Sequence, residues 1–336
     1  MIRNLAGWLI AVLTLVALAA CSPIEGDGRH LIPLSGAVKS RLASMGSTPE
    51  AAMMVRIFKE EDTLEVWKQT RDGSYKLFKA YEICTWSGEL GPKVREGDRQ
   101  APEGFYTITP ASLNPNSSYY LAFNLGFPNK FDRAYGRTGS HLMVHGACSS
   151  AGCYAMEDEQ IAEIYALARE SFKGGNRAFE VQIFPFRMTP QNLAKHQSSP
   201  HINFWKNLKE GYDYFEVANH PPSWDVCNGR YVFNQPTAAN AALSMAGSCP
   251  AVRADQTIVS AFLAKQDADA SALSAEIARL ANAEAARIAA AEQRERAAAE
   301  AAARGKAINS AVDGFFNGLL SPFGGGTKVA ESEPEA

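Results

Sequence analysis

Neither an HExxH pattern nor a pair of CxxC spacings occurs in the sequence, so the commonest zinc-site signatures are missing and no metal or other cofactor is expected. An excess of one charge is missing too. Lys and Arg number 33 against 36 Asp and Glu, a formal net charge of -3, which argues against nucleic acid and against bulk-charge recognition of an acidic polymer. Any anion must therefore be met locally. Long apolar runs are also scarce: the longest, Leu5 to Ala20, is too short to span a bilayer comfortably. What remains is a chain of 336 residues, 46% of them hydrophobic, enough for one substantial core and a smaller appendage.

Residues 1–20 have the make-up of an export signal, with Arg3 ahead of the apolar run. Leu18-Ala19-Ala20-Cys21 then resembles a bacterial lipobox, which makes Cys21 a lipid attachment point and Ser22 a residue favouring the outer membrane. Residues 21–51 read as a tether carrying a short helix near Val38 to Met45. An exported chain permits disulfides. Five cysteines follow the anchor, an odd number: with Cys153 set aside as a reactive thiol, Cys227 with Cys249 is the easier pairing and Cys84 with Cys148 a second, the connectivity remaining open.

Met53 to Lys59, Thr63 to Gln69 and, after the Asp72-Gly73 turn signal, Ser74 to Cys84 read as a β meander. Ser87 to Tyr106 is dense in Gly, Pro and charge, a loop system leading into a strand at Phe105 to Thr109. Further strands are expected at Tyr119 to Leu125, Ser140 to Val144 and Phe179 to Phe186, with an aromatic- and arginine-rich loop at Gly126 to Thr138. Apolar positions Ile161, Ile164, Tyr165, Leu167 and Ala168 recur at helical spacing within Asp158 to Phe172, and a short helix covers Asn203 to Leu208. Glu157 and Asp158 stand at that first helix's positive end.

Chemistry concentrates in His141 to Met156, HLMVHGACSSAGCYAM. A thiol becomes a nucleophile when a base lies within hydrogen-bond reach, and a thiolate is favoured beside an imidazolium. Cys153 after Gly152 is the nucleophile and His145 its base, provided the chain folds back between Gly146 and Gly152. Backbone N–H groups near Ala151 to Cys153 are expected to form an oxyanion hole, with glycine at 152 allowing close approach. Ser149 and Ser150 orient the imidazole or satisfy the turn. His141 and His145 on one strand would stand about 13 Å apart at roughly 3.3 Å per residue, so they cannot share an ion, and His141 is read as a surface or strand-packing residue. Arg187, Arg133, Arg137, Arg99 and Lys93 are candidates for binding substrate carboxylates, each equally suited to be a structural ion-pair partner, with Arg187 first among them.

Taken together, SGELGPKVREGDRQAPEGFY, NLGFPNKFDRA, LMVHGACSSAGCYAM and FPFRMT, in that order, resemble the L,D-transpeptidase (YkuD-type) catalytic domain and its YafK-like branch of murein transpeptidases and amidases. The resemblance covers about Met53 to Phe233. It implies an α+β, mainly β fold, a β-rich barrel or sandwich with a capping helix. It also implies a cysteine that attacks the L-centre carbonyl of meso-diaminopimelate in a peptidoglycan stem, giving a thioester resolved by water or an amine. Carried over by residue, it makes Cys153 the nucleophile and His145 the base, with the Gly146 carbonyl standing for a third side chain. Ala151 and Ala155 occupy places where the wider family carries histidine and arginine, as in the YafK-like branch.

The expected organisation is a signal (1–20), a tether (21–51), a catalytic domain (52–234), an Ala-rich helical extension (235–311) and a flexible tail (312–336). In the extension, a short helix at Asp255 to Lys265 is followed by a long one at Ala268 to Arg304. The expected protein is a lipid-anchored enzyme at the periplasmic face of the outer membrane. Its partners would be peptidoglycan stem peptides and a murein-linked outer-membrane protein, and the rival reading is a catalytically silent peptidoglycan-binding lipoprotein.

Overall fold

The computed structural model describes residues 28–234, 249 and 255–320. The signal segment, Cys21, the Pro236 to Gly247 stretch and the final GGGTKVAESEPEA lie outside the described residues. Strands β1 (Met53–Phe58), β2 (Thr63–Gln69) and β3 (Tyr75–Glu82) form the expected antiparallel meander. With β5 (Gly104–Ile108) and β10 (Phe179–Phe184) they make a sheet of order β3-β2-β1-β10-β5, in which β1 and β10 run parallel. A second sheet contains β4 (Thr85–Trp86), β6 (Leu113–Asn114), β7 (Ala122–Asn124), β8 (Met143–His145) and β9 (Tyr154–Ala155), in the order β4-β9-β8-β7-β6. A hairpin of β11 (Trp224–Cys227) and β12 (Arg230–Phe233) stands apart. The helices are α1 (Gly36–Ser44), α2 (Lys130–Ala134), α3 (Asp158–Lys173), α4 (Pro190–Lys195), α5 (Ile202–Ala218) and α6 (Gln256–Leu320).

The fold is α+β with two open sheets. Strands of two or three residues in the second sheet carry too few ladder bonds to reach the first, so no barrel closes. Val55, Ile57, Val181 and Ile183 of the first sheet share one apolar core with Phe123, Val144 and Tyr154 of the second and with Ile161, Ile164 and Leu167 of α3. Each such side chain fully removed from water contributes roughly 1.5–3 kcal/mol before chain entropy is set against it. Leu34, Val38 and Leu42 belong to the same core. The segment expected to be a tether is therefore, from Leu34 onward, part of the folded body, because α1 has an apolar face to bury.

Two expected strands are shorter than their β propensity implies, since Tyr120 and His141 take positive φ values of 64° and 55° and a left-handed residue breaks the extended run. Conversely, α5 runs well past Asn203 to Leu208. Its aromatic residues are poor helix formers, yet Trp205, Leu208, Tyr212 and Tyr214 pack into a second core with Phe58, Phe105 and Phe184, and that burial overrides propensity. Gly211 sits where α5 comes closest: a Cβ there would meet Phe105 and Phe233 at 2.5 Å. The two expected C-terminal helices are one continuous helix, and Phe315, Phe316 and Leu319 lie on it rather than in a flexible tail. Residues up to Leu273 form one compact unit; within it Phe262 stacks on Tyr214 at 3.9 Å and Asp269 pairs with Lys209 at 2.5 Å. Ser274–Ala336 is the other unit, where i,i+3 pairs such as Glu276–Arg279 and Glu284–Arg287 lie along the helix.

The long loop between β4 and β5 is clamped from beneath. Lys59 is wholly buried, and its ammonium donates to the carbonyls of Glu89 (2.8 Å), Gly91 (3.1 Å) and Ala101 (3.2 Å) and to the Glu103 carboxylate at 3.0 Å. Trp205 Nε1 and the Gly91 N–H complete the Glu103 shell. Glu103→Ala should lower stability by about 3–5 kcal/mol in urea unfolding, because it strands a buried cation. A loss under about 1 kcal/mol would show that the carbonyls hold the ammonium alone.

Candidate active site

Parallel pairing of β8 with β9 sets Val144 opposite Tyr154 and His145 opposite Ala155. Cys153 directly precedes β9, so this pairing brings it back beside the strand that carries His145, and the Met143 N–H reaches its Sγ. The chain does fold back between them, as the spacing requires. The connection is bent by Ala147 (φ 63°), Cys148 (φ 37°) and Gly152 (φ 133°). Non-glycine residues rarely take positive φ, so the turn needs external support. Part of it comes from a disulfide joining Cys148 to Cys84. Cys227 is bonded to Cys249, and Cys153 is the free cysteine among the described residues.

Cys153 and His145 both line a cleft of about 280 Å³. The half-buried thiol accepts the Met143 N–H at 3.4 Å and points to the His141 carbonyl at 3.7 Å; no hydrogen bond joins it to the His145 ring among the described residues. His145 is buried, with its ring 4.7 Å from that of Tyr119 and Nδ1 2.6 Å from the Gly146 carbonyl oxygen. That contact assigns the proton to Nδ1 and leaves the lone pair on Nε2, the form a general base requires.

Burial governs both ionisations. It pushes the Cys153 thiol above its ordinary value, against the Met143 N–H and the Lys93 charge, and pushes the His145 imidazole below its own, against the bond to Gly146. Burial thus favours the thiol and the neutral imidazole over the thiolate–imidazolium pair expected from sequence. Alkylation of Cys153 by iodoacetamide should accordingly rise with a midpoint above the ordinary thiol value of about 8.5. A midpoint below that value would mean that the ion pair pre-exists.

Several expectations are corrected at the site. The N–H groups of Gly152 and Cys153 are not free for an oxyanion: both converge on Ser150 Oγ, at 3.3 and 3.0 Å, and that hydroxyl donates to the Cys153 carbonyl at 2.7 Å. Ser150 thus satisfies the turn, while Ser149 and Ala151 line the cleft. His141 lies outside β8 and lines the cleft beside His145, so the distance argument for one strand does not apply. Of the five cations, Lys93 and Arg99 line the cleft. Lys93 is buried, with its ammonium on Asp98 and the Arg95 carbonyl. Arg187, Arg133 and Arg137 do not line it. Arg187 pairs with Glu65 at 2.6 Å over the Phe58 ring, Arg137 pairs with Asp132 at 2.8 Å, and Arg133 donates to the Pro128 carbonyl. Sequence reasoning missed Tyr119, which no motif marks. The described His, Cys, Asp and Glu residues that cluster closely enough for a metal are Cys84, Cys148 and Glu157, and the two sulfurs are already joined.

The YkuD family, an L,D-transpeptidase catalytic domain, matches residues 52–183. The Escherichia coli (strain K12) protein named "Putative L,D-transpeptidase YafK" is 42% identical over 228 residues, covering 68% of this chain and 90% of its own; the O157:H7 protein of that name matches equally. Among solved structures, the helical cell shape determining protein Pgp2 from Campylobacter jejuni aligns at 19% identity and a TM-score of 0.33, over 54% of this chain and 64% of that one. Bdellovibrio bacteriovorus Bd1075 aligns at 18% and 0.28, over 47% and 71%.

Proposed function

Since the chain belongs to the L,D-transpeptidase (YkuD) family, we propose that it is a cysteine acyltransferase acting on peptidoglycan stem peptides at the L-centre of meso-diaminopimelate. The observation that carries this is the free thiol of Cys153 lining one cleft with His145, whose Nδ1 lies 2.6 Å from the Gly146 carbonyl oxygen. Sulfur adds to the substrate carbonyl carbon as its proton passes to His145 Nε2. For this the thiol turns away from the His141 carbonyl. The tetrahedral adduct collapses, the leaving amine takes the proton from the imidazolium, and a thioester remains. His145 then takes a proton from water or an amine, which attacks the thioester and frees the thiol. Forming the imidazolium only as sulfur attacks suits a buried pair, since its cost falls in the step where the Gly146 carbonyl compensates it.

Water as acceptor makes the protein an amidase that releases murein-bound protein; an amine makes it a cross-linking transpeptidase. Export, attachment through Cys21 and residence at the periplasmic face of the outer membrane complete the proposal. Arg99, exposed at the cleft, is the cation best placed to meet a stem-peptide carboxylate. A second reading, a silent peptidoglycan-binding lipoprotein, draws on the missing hydrogen bond between Cys153 and His145. Incubating the protein with purified sacculi and weighing the muropeptides separates the outcomes. New 3-3 dimers select the transpeptidase, loss of protein stubs from diaminopimelate selects the amidase, and binding with unchanged muropeptides selects the silent module.

A further inference from the structure

The group that holds His145 is a peptide carbonyl, which carries no net charge to match an imidazolium. The same peptide has a second bond on its other side. Gly146 O takes the His145 Nδ1 contact at 2.6 Å, and the N–H of that peptide unit, on Ala147, donates to Asp158 Oδ1 at 2.8 Å. Resonance couples the two ends of one amide, so a carboxylate on the N–H draws electron density toward the oxygen. Hydrogen bonds in series strengthen one another in this way.

We infer that Asp158 is a positioning residue for the reaction, supplying through the Gly146–Ala147 peptide the negative charge that orients His145 and favours its imidazolium. The inference rests on the acyl-transfer reading above. Three further features of the structure support it. A Cβ on Gly146 would meet Asp158 Oδ1 at 2.5 Å and the Tyr119 carbonyl at 3.1 Å, so the carboxylate packs directly against the peptide it acts on. Asp158 begins α3, whose Ile161 and Ile164 are fixed in the main core, so its position is held by a rigid element. Asp158 forms no ion pair among the described residues, so beyond the positive end of its own helix no cationic side chain competes for its charge. The support that the left-handed Ala147 needs comes from this same bond, as the disulfide supports Cys148.

Other ionisable groups surround His145. Tyr119 packs on the ring, and Cys153, His141, Lys93, Glu96 and Arg99 line the cleft. Asp158 alone is joined to the Nδ1 side by a bonded path. Throughout the reaction the mobile proton moves between Cys153 Sγ, His145 Nε2 and the leaving or entering group, while Nδ1 keeps its proton.

NMR titration of the His145 ring in the full chain tests this, with Cys153→Ser as the parent to isolate the imidazole. Adding Asp158→Asn keeps the size and the acceptor for the Ala147 N–H but removes the charge. His145 should then titrate about 0.5–1 pH unit lower, since the imidazolium loses a neighbouring negative charge. With Cys153 restored, Asp158→Asn should lower kcat about tenfold at nearly constant KM, the pattern of a group that acts only as charge develops. A titration within about 0.2 units of the parent would overturn the inference, because a purely structural Asp158 is replaced by Asn without electrostatic effect. The titration uses no substrate, so its failure is distinct from failure of the proposed activity.

Discussion

Cys153→Ala should end all turnover of sacculi while the protein still folds and melts like the parent. The expected loss is on the order of 10⁶-fold, as when the nucleophile of a cooperative triad is removed. The residue is half-buried, and alanine keeps the Cβ and the backbone beside Met143, so little packing is lost with the sulfur. The other four described cysteines are paired in disulfides and offer no substitute thiol. Muropeptide masses before and after incubation read the result; product at even a hundredth of the parent rate would assign the chemistry to another group.

Replacing His145 should cost less, about 10²–10⁴-fold, the usual worth of a general base. Because the thiol is pushed upward in its pKa, little of it ionises unaided at neutral pH, and the base matters most there. The deficit should therefore shrink as pH rises and hydroxide takes over deprotonation. His145→Gln is the better variant than alanine, since the buried ring packs on Tyr119 and its deletion opens a cavity. Combined with Cys153→Ala, it should add no further loss, as expected of residues acting in one step. A variant with parental rates at pH 7, or a deficit that grows with pH, would remove His145 from the mechanism.

That Cys153 and His145 reach one cleft was legible because the glycine-bounded turn between them lets the chain fold back. The meander and α3 were legible because their period-2 and helical patterns match their burial. Sequence left open whether Arg187 binds substrate or pairs structurally: its partner Glu65 lies on β2, far off in the chain, and nothing local announces the pair. His141 was misplaced because a single left-handed residue ended the strand early, which propensity does not encode. That Ser150 Oγ takes the N–H groups of Gly152 and Cys153 was hidden for a similar reason, since they converge only in the folded turn. Asp158 illustrates a further limit. Its helix-end position was visible, but its bond to Ala147 depends on how α3 meets the turn after His145.

The most direct measurement is intact-protein mass spectrometry after brief mixing with a soluble tetrapeptide muropeptide, followed by proteolysis. The account predicts one added acyl group, carried by the peptide that contains Cys153, released by hydroxylamine as a thioester is, and missing from Cys153→Ala. Turnover of the muropeptide with no adduct on Cys153, or with an adduct mapped to another residue, would contradict it.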